Sequence, residues 1–211
     1  MVASRVARGG LAGLALALAI ATGPAAASPT TTTTVNPGSL PQTRAEPAFG
    51  SALSSQMTTL WRAIVTDNSA LGRRVFFPQA AYIRMKTGLL ASPSGDYADR
   101  LLAFYGLDLG ADHRLIAGHD PRLLRVDYDR ADAQWIAPRD CENLIGYWHL
   151  PGARLVYSRA GAVYSVAVFS LISWRGVWYV VHLGPNPRPV DAGMVAGYAR
   201  GPGTPGPAGG C

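Results

Sequence analysis

Two histidines in a strand-rich stretch, His149 and His182, are the residues of this 211-residue sequence best suited to chemistry. Imidazole titrates near neutrality, so either is a catalytic candidate for moving a proton. Tyr147, Arg154 and Tyr157 are polar groups able to join them. Phe169 and Trp178 could wall a small-ligand pocket around the same spot. The plainer alternative is that a histidine at a strand end is a satisfied core or rim residue. A proton-transfer enzyme also needs a placed carboxylate, for which Asp99, Asp108 and Asp112 are the candidates. Asp112-His113 and His119-Asp120 bracket a short loop and suggest metal ligands, but no other spacing supports a site. Neither a metal nor any other cofactor is therefore expected. The nucleophile-elbow, zinc-protease and phosphate-loop patterns are absent. Lys86, the single lysine beside 18 arginines, reads as an exposed strand residue rather than a Schiff-base nucleophile.

Whether the histidines meet depends on the strands that carry them. From Leu124 onward the apolar period is two, giving strands near 124–128, 144–150, 154–158, 163–173 and 177–183. Their turns fall at Pro151-Gly152, Arg159-Ala160-Gly161 and Arg175-Gly176, all short enough for antiparallel hairpins. A three-residue loop ending in Gly161 sets His149 opposite Leu171. A two-residue turn at Arg175-Gly176 sets His182 opposite Phe169. Both histidines then share the Phe169 face, and a one-residue slip in either turn separates them. Residues 163–173 are apolar on both faces, so both sides of the sheet must be covered. Helices can cover one side; the other calls for the C-terminal tail or a second copy of the chain, a homodimer through the outer face.

Upstream, Phe49, Leu53, Met57, Leu60, Trp61, Ile64 and Val65 recur at helical spacing. Asp67-Asn68-Ser69 ends that helix and can cap a short second one. Ala81, Ile83 and Met85 alternate with Tyr82, Arg84 and Lys86, as a strand would. Asp96 then caps a further helix through Leu101, Leu102, Tyr105 and Leu109.

The first 27 residues read as a secretory signal peptide: Arg5 and Arg8, an apolar run from Leu11 to Ala21, then small residues before a cut after Ala27. The run is too short to span a membrane; a retained anchor is the alternative. Residues 28–48, with Thr30 to Thr34 and four prolines, form a Thr/Pro-rich tether; 49–183 form one domain; 184–211 are a Gly/Pro-rich, irregular tail. Losing residues 1–27 leaves 17 basic against 13 acidic residues, a net charge of +4 rather than +6. That mild excess, spread along the chain, speaks against nucleic-acid binding. Arg73, Arg74, Arg84 and Lys86 are its densest group, read as solvated surface with an anion groove as the alternative. An exported chain meets oxidising conditions, and its two cysteines, Cys141 and Cys211, are expected to form one disulfide that pins the tail.

Helices followed by a long antiparallel meander ending in Arg175-Gly176-Val177-Trp178-Tyr179-Val180-Val181-His182-Leu183 resemble the NTF2-like (SnoaL-like) cone fold. The resemblance covers residues 49–183 and rests on that last hairpin. Trp148-His149-Leu150-Pro151-Gly152 is also similar to exported proteins of actinobacteria to which no activity attaches. The cone implies an α+β fold, with N-terminal helices packed on a curved antiparallel sheet and a pocket between them. Some members of the family are isomerases, dehydratases or hydrolases and others only bind, so fold alone does not choose. The expectation is a secreted, non-catalytic binding or envelope-associated module. It would take a small apolar or weakly anionic ligand between Tyr147, His149, Arg154, Phe169, Trp178 and His182. The alternative is an isomerase or dehydratase using His149 or His182 with an aspartate.

Overall fold

The computed structural model describes residues 41–206. The leader, residues 28–40 of the tether and Cys211 lie outside the described residues. The chain is α+β, with helices first and then a curved, unclosed antiparallel sheet of six strands. Helix α1, Ser51–Val65, buries Leu53, Met57, Leu60, Trp61 and Ile64, the stripe read from the spacing. Asn68 caps α2, Ser69–Gly72, its side chain accepting the Leu71 N–H at 2.9 Å.

The alternation at 81–86 is not a strand. Gln79–Lys86 is helix α3, entered from Pro78, and it buries Ala81, Tyr82 and Met85 at i, i+1 and i+4. Over eight residues the two periods overlap, and proline fits just before a first helical turn. The next helix also begins earlier than expected. Ser92 caps α4, Pro93–Asp96, by accepting the Gly95 N–H at 3.2 Å. A wider π-helical turn, Tyr97–Leu102, then leads into α5, Ala103–Ile116. With Ser92 as the cap, the Asp96 carboxylate is left for a tertiary role. Among the described residues no helix is long and apolar enough to cross a membrane.

The sheet comprises β1 (Arg122–Asp127), β2 (Gln134–Ile136), β3 (Tyr147–Arg159), β4 (Ala162–Trp174), β5 (Val177–His182) and β6 (Ala196–Arg200). Its spine is the hairpin of β3 and β4, 13 residues each. Each edge of the hairpin is lined by two short strands. On β3, β2 pairs with Tyr147–His149 and β1 with the half from Arg154 to Ser158. On β4, β5 pairs with Ser170–Trp174 and β6 with the half from Tyr164 to Ala167. Pro151-Gly152 is thus a kink within one strand, not a turn between two. Pairing runs through it from Pro151↔Ser170 to Ala153↔Val168, and Gly152 supplies the bend at φ 58°.

Two register expectations also change. The β3–β4 turn has two residues, Ala160 and Gly161, both at positive φ, so His149 pairs with Ile172 rather than Leu171. A bulge in β5 lets Leu171 pair with Val180 but Ser170 with His182 rather than Phe169. Each offset alone would separate the histidines. Together they cancel, and both imidazoles stand on the Ser170–Ile172 side of β4.

The described part of the tail is irregular apart from β6, and it is docked on the sheet. Beyond β6 the Gly201 N–H reaches the Val163 carbonyl at 2.8 Å and the Gly206 N–H reaches that of Gly152 at 3.0 Å. Arg154, 5% exposed, grips this segment. Its Nε donates to Ser165 Oγ at 3.1 Å and to the Pro202 carbonyl at 3.0 Å, and its Nη2 donates to the Gly197 carbonyl. The tail, one of the two covers expected for the outer face, lies there. Replacing Arg154 by Met should cost about 2 kcal/mol, since each acceptor loses a charged donor. It should also speed amide exchange at Gly201 and Gly206. Unchanged protection of those two amides would refute the clasp.

Candidate functional site

Where β3 kinks, the sheet, α3, the π-helical turn and the tail leave a cavity of about 930 Å³. Of the residues expected at a pocket, Tyr147, His149, Arg154, Phe169 and His182 line it. Trp178 does not: it is 2% exposed and packs 5.4 Å from the Phe49 ring, beside a smaller cleft under α1. Tyr157 stands apart as well, its ring 5.1 Å from Trp61 in the core. Five of the seven expected residues thus line one space.

His149 and His182 share a polar seam on the sheet. The Nε2 of His149 lies 2.7 Å from Ser170 Oγ, and Ser170 is the cross-strand partner of His182. Burial holds His182 neutral, its pKa pushed from 6.5 down to about 4. The charged neighbours that add to this shift are all cationic: Arg100, His149, Arg188 and Lys86. Tyr147, whose phenol is pushed up to about 12 by burial, accepts from Asn143 Nδ2 at 3.2 Å at the far end.

The helical wall holds groups that sequence reading passed over. Arg100, on the π-helical turn, clamps Asp96 with Nε to Oδ1 at 2.7 Å and Nη2 to Oδ2 at 2.7 Å. Tyr82 donates to the same carboxylate and accepts from Arg100 at 3.0 Å. The Arg100 hydrogen bonds hold the Asp96 carboxyl below its usual range, so the Asp96–Arg100 pair stays ionised beside a neutral Tyr82 phenol, and the trio is internally satisfied. Lys86, at the end of α3, lies on the cavity wall and donates to the Glu142 carbonyl at 2.9 Å. The Leu144 N–H bonded to the Met85 carbonyl at 2.9 Å ties the same loop down. Tyr82 and Lys86 sit on helix α3, so reading 81–86 as a strand hid them.

The aspartates proposed for catalysis do not reach the histidines. Asp99 is exposed. Asp108, 2% exposed, accepts the Gly184 and Met194 N–H groups at 2.9 Å each and pairs with Arg188. Asp112, 1% exposed, has its pKa raised well above the ordinary value by burial, and its Oδ1 has no hydrogen-bond partner among the described residues. The candidate metal ligands diverge too: His113 Nδ1 lies 2.9 Å from the Ile64 carbonyl, and His119 and Asp120 are exposed. No family model, curated relative or solved structure matches this chain.

Proposed function

We propose that this protein is an exported binding module whose cavity holds a small, largely apolar ligand. The observation that carries the reading is the cavity itself: about 930 Å³, within the range of small-molecule sites, with apolar and polar side chains both on its wall. Phe77, Met85, Leu101, Ile136 and Ile172 supply apolar wall, while the His149–Ser170–His182 seam offers orientation. An NTF2-like cone is the architecture this reading draws on, and the helices over a curved sheet agree with it at the level of fold class. Export rests on the leader over 1–27. A Cys141–Cys211 bridge would fix the tail beside the cavity, whose wall includes Cys141, Thr204 and Gly206. The reading needs no second subunit, because residues 197–206 already meet the Arg154 side of the sheet.

The enzymatic alternative, an isomerase or dehydratase working through His149 or His182, needs an aspartate to act with it. The aspartate on the cavity wall, Asp96, is held by Arg100 and Tyr82. Binding without turnover is therefore the better-supported function. Protein recovered from the medium of a secreting host should begin at Ser28 and carry no alkylatable thiol. It should also take up the neutral fluorophore N-phenyl-1-naphthylamine saturably, near one to one. Ile172→Trp, which narrows the cavity beside His149, should weaken uptake while leaving the melting curve close to wild type. Absence of saturable uptake by the unmodified protein would sink the binding reading.

A further inference from the structure

The cavity wall takes in two stretches of chain that lead to the two cysteines. One is the tail. Arg154 donates through Nε to the Pro202 carbonyl at 3.0 Å and through Nη1 to the Thr204 carbonyl at 3.4 Å. The Gly206 N–H then reaches the Gly152 carbonyl at 3.0 Å. There the two backbones cross so closely that a Cβ on Gly152 would stand 2.3 Å from the Gly206 Cα, so glycine is required. The chain is thus fixed as far as residue 206, with Thr204 and Gly206 on the wall. The other stretch is the loop after β2. Cys141 sits on it at φ 52° and lines the same cavity. Three hydrogen bonds hold that loop in place. Asn143 Nδ2 donates to the Cys141 carbonyl at 2.8 Å, Lys86 to that of Glu142 at 2.9 Å, and the Leu144 N–H to that of Met85 at 2.9 Å. From Gly206 the sequence continues with five small residues, Pro207, Ala208, Gly209, Gly210 and Cys211. Extended, they reach about 17 Å, whereas a sphere of 930 Å³ is about 12 Å across. The segment is long enough to traverse the cavity and bring Cys211 to Cys141.

From this placement we infer that residues 207–211 dock in the cavity, latched by a Cys141–Cys211 disulfide, and compete there with the ligand. The inference rests on the binding reading above and on the bridge proposed with it. It adds that the thiol state of the pair sets the affinity. A segment tied at both ends acts on the cavity at the high effective concentration that its short span imposes, and opening the bridge removes that advantage. Opening is a thiol–disulfide exchange. An external dithiol gives up two electrons and two protons and leaves as a cyclic disulfide, while Cys141 and Cys211 become thiols.

Equilibrium titration with N-phenyl-1-naphthylamine tests this on three forms of the secreted protein: untreated, reduced with dithiothreitol, and carrying Cys211→Ser. A non-reducing digest of the untreated form should yield a peptide cross-linked through Cys141 and Cys211. The reduced form and the variant should each bind the dye at least about tenfold more tightly than the untreated form. Dithiothreitol should change the variant no further. Equal or weaker binding by either released form, or absence of the cross-linked peptide, overturns the latch and leaves the cavity-binding reading standing. Absence of saturable uptake by all three forms overturns both.

Discussion

Asp108→Ala should destabilise the protein by about 3–5 kcal/mol, a third or more of the stability of a typical domain. The carboxylate and the Arg188 guanidinium are each 2% exposed at the side chain, so neither can turn to water when the other is lost. Removing Asp108 leaves a buried cation without its partner and strands the Gly184 and Met194 N–H groups, both bonded to it at 2.9 Å. The complementary change, Arg188→Met, should cost less, because the carboxylate keeps two backbone donors. The double variant Asp108→Ala/Arg188→Met should be more stable than the sum of the single losses implies, since it removes the orphaned charge. Urea denaturation of the four proteins measures the cycle. A loss below about 1 kcal/mol for Asp108→Ala would show that the loop from Gly184 to Met194 does not depend on this pair. The site would feel the change too: Gly184 lies two residues beyond His182, and the adjoining Leu183 carbonyl accepts the Phe169 N–H at 3.1 Å.

The second large effect is a pH dependence. His182 has a folded pKa of about 4 against an ordinary 6.5, because burial disfavours its charged form. The unfolded chain therefore takes up a proton at this position across an interval in which the folded chain refuses it. Its contribution is complete above pH 6.5, declines as pH falls toward 4, and changes no further below that, for a total of about 3 kcal/mol. The charged groups that bear on it, Arg100, Arg188, Lys86 and His149, add to the same direction. Asp112 works oppositely. Burial, with Asp108 beside it, raises its carboxyl pKa in the fold, so acidification favours the folded state there. Comparison of wild type with His182→Gln isolates the histidine. The difference in unfolding free energy between the two should move by about 3 kcal/mol from pH 7 to pH 4. Parallel curves for the two proteins would show that His182 titrates normally.

Much of the architecture was legible where one period ran long enough to exclude the other. The stripe from Leu53 to Ile64 extends over three turns and has no strand reading, and β4 is one long apolar run between two short turns. Legibility failed where segments were short or where glycine and proline stood inside an element. Residues 81–86 fit both periods, and that ambiguity concealed Tyr82 and Lys86, two members of the cavity wall. Pro151-Gly152 carries the composition of a turn yet bends a continuous strand. Gly197 disguised β6, although its missing Cβ is what lets the segment pass Arg154, whose Nη1 would sit 3.1 Å from an added carbon. The histidines illustrate a different limit. Their common face was expected for turn geometries that the chain does not use, and it survives because an unforeseen bulge offsets an unforeseen two-residue turn. Sequence alternation reports parity well and absolute register poorly.

The placement of β6 has a consequence for how the molecule is made. Every other strand of the sheet is complete once residue 182 has been synthesised, but the half of β4 from Tyr164 to Ala167 gains its neighbour only with residues 196–200. Until then a nascent or truncated chain presents a bare ladder of backbone donors and acceptors, the kind of edge that recruits other strands. Shortening the protein by sixteen or more residues would therefore do more than trim a tail. It would bare the edge of β4 that β6 pairs, and the self-association of such fragments would follow from backbone geometry with no change in the core.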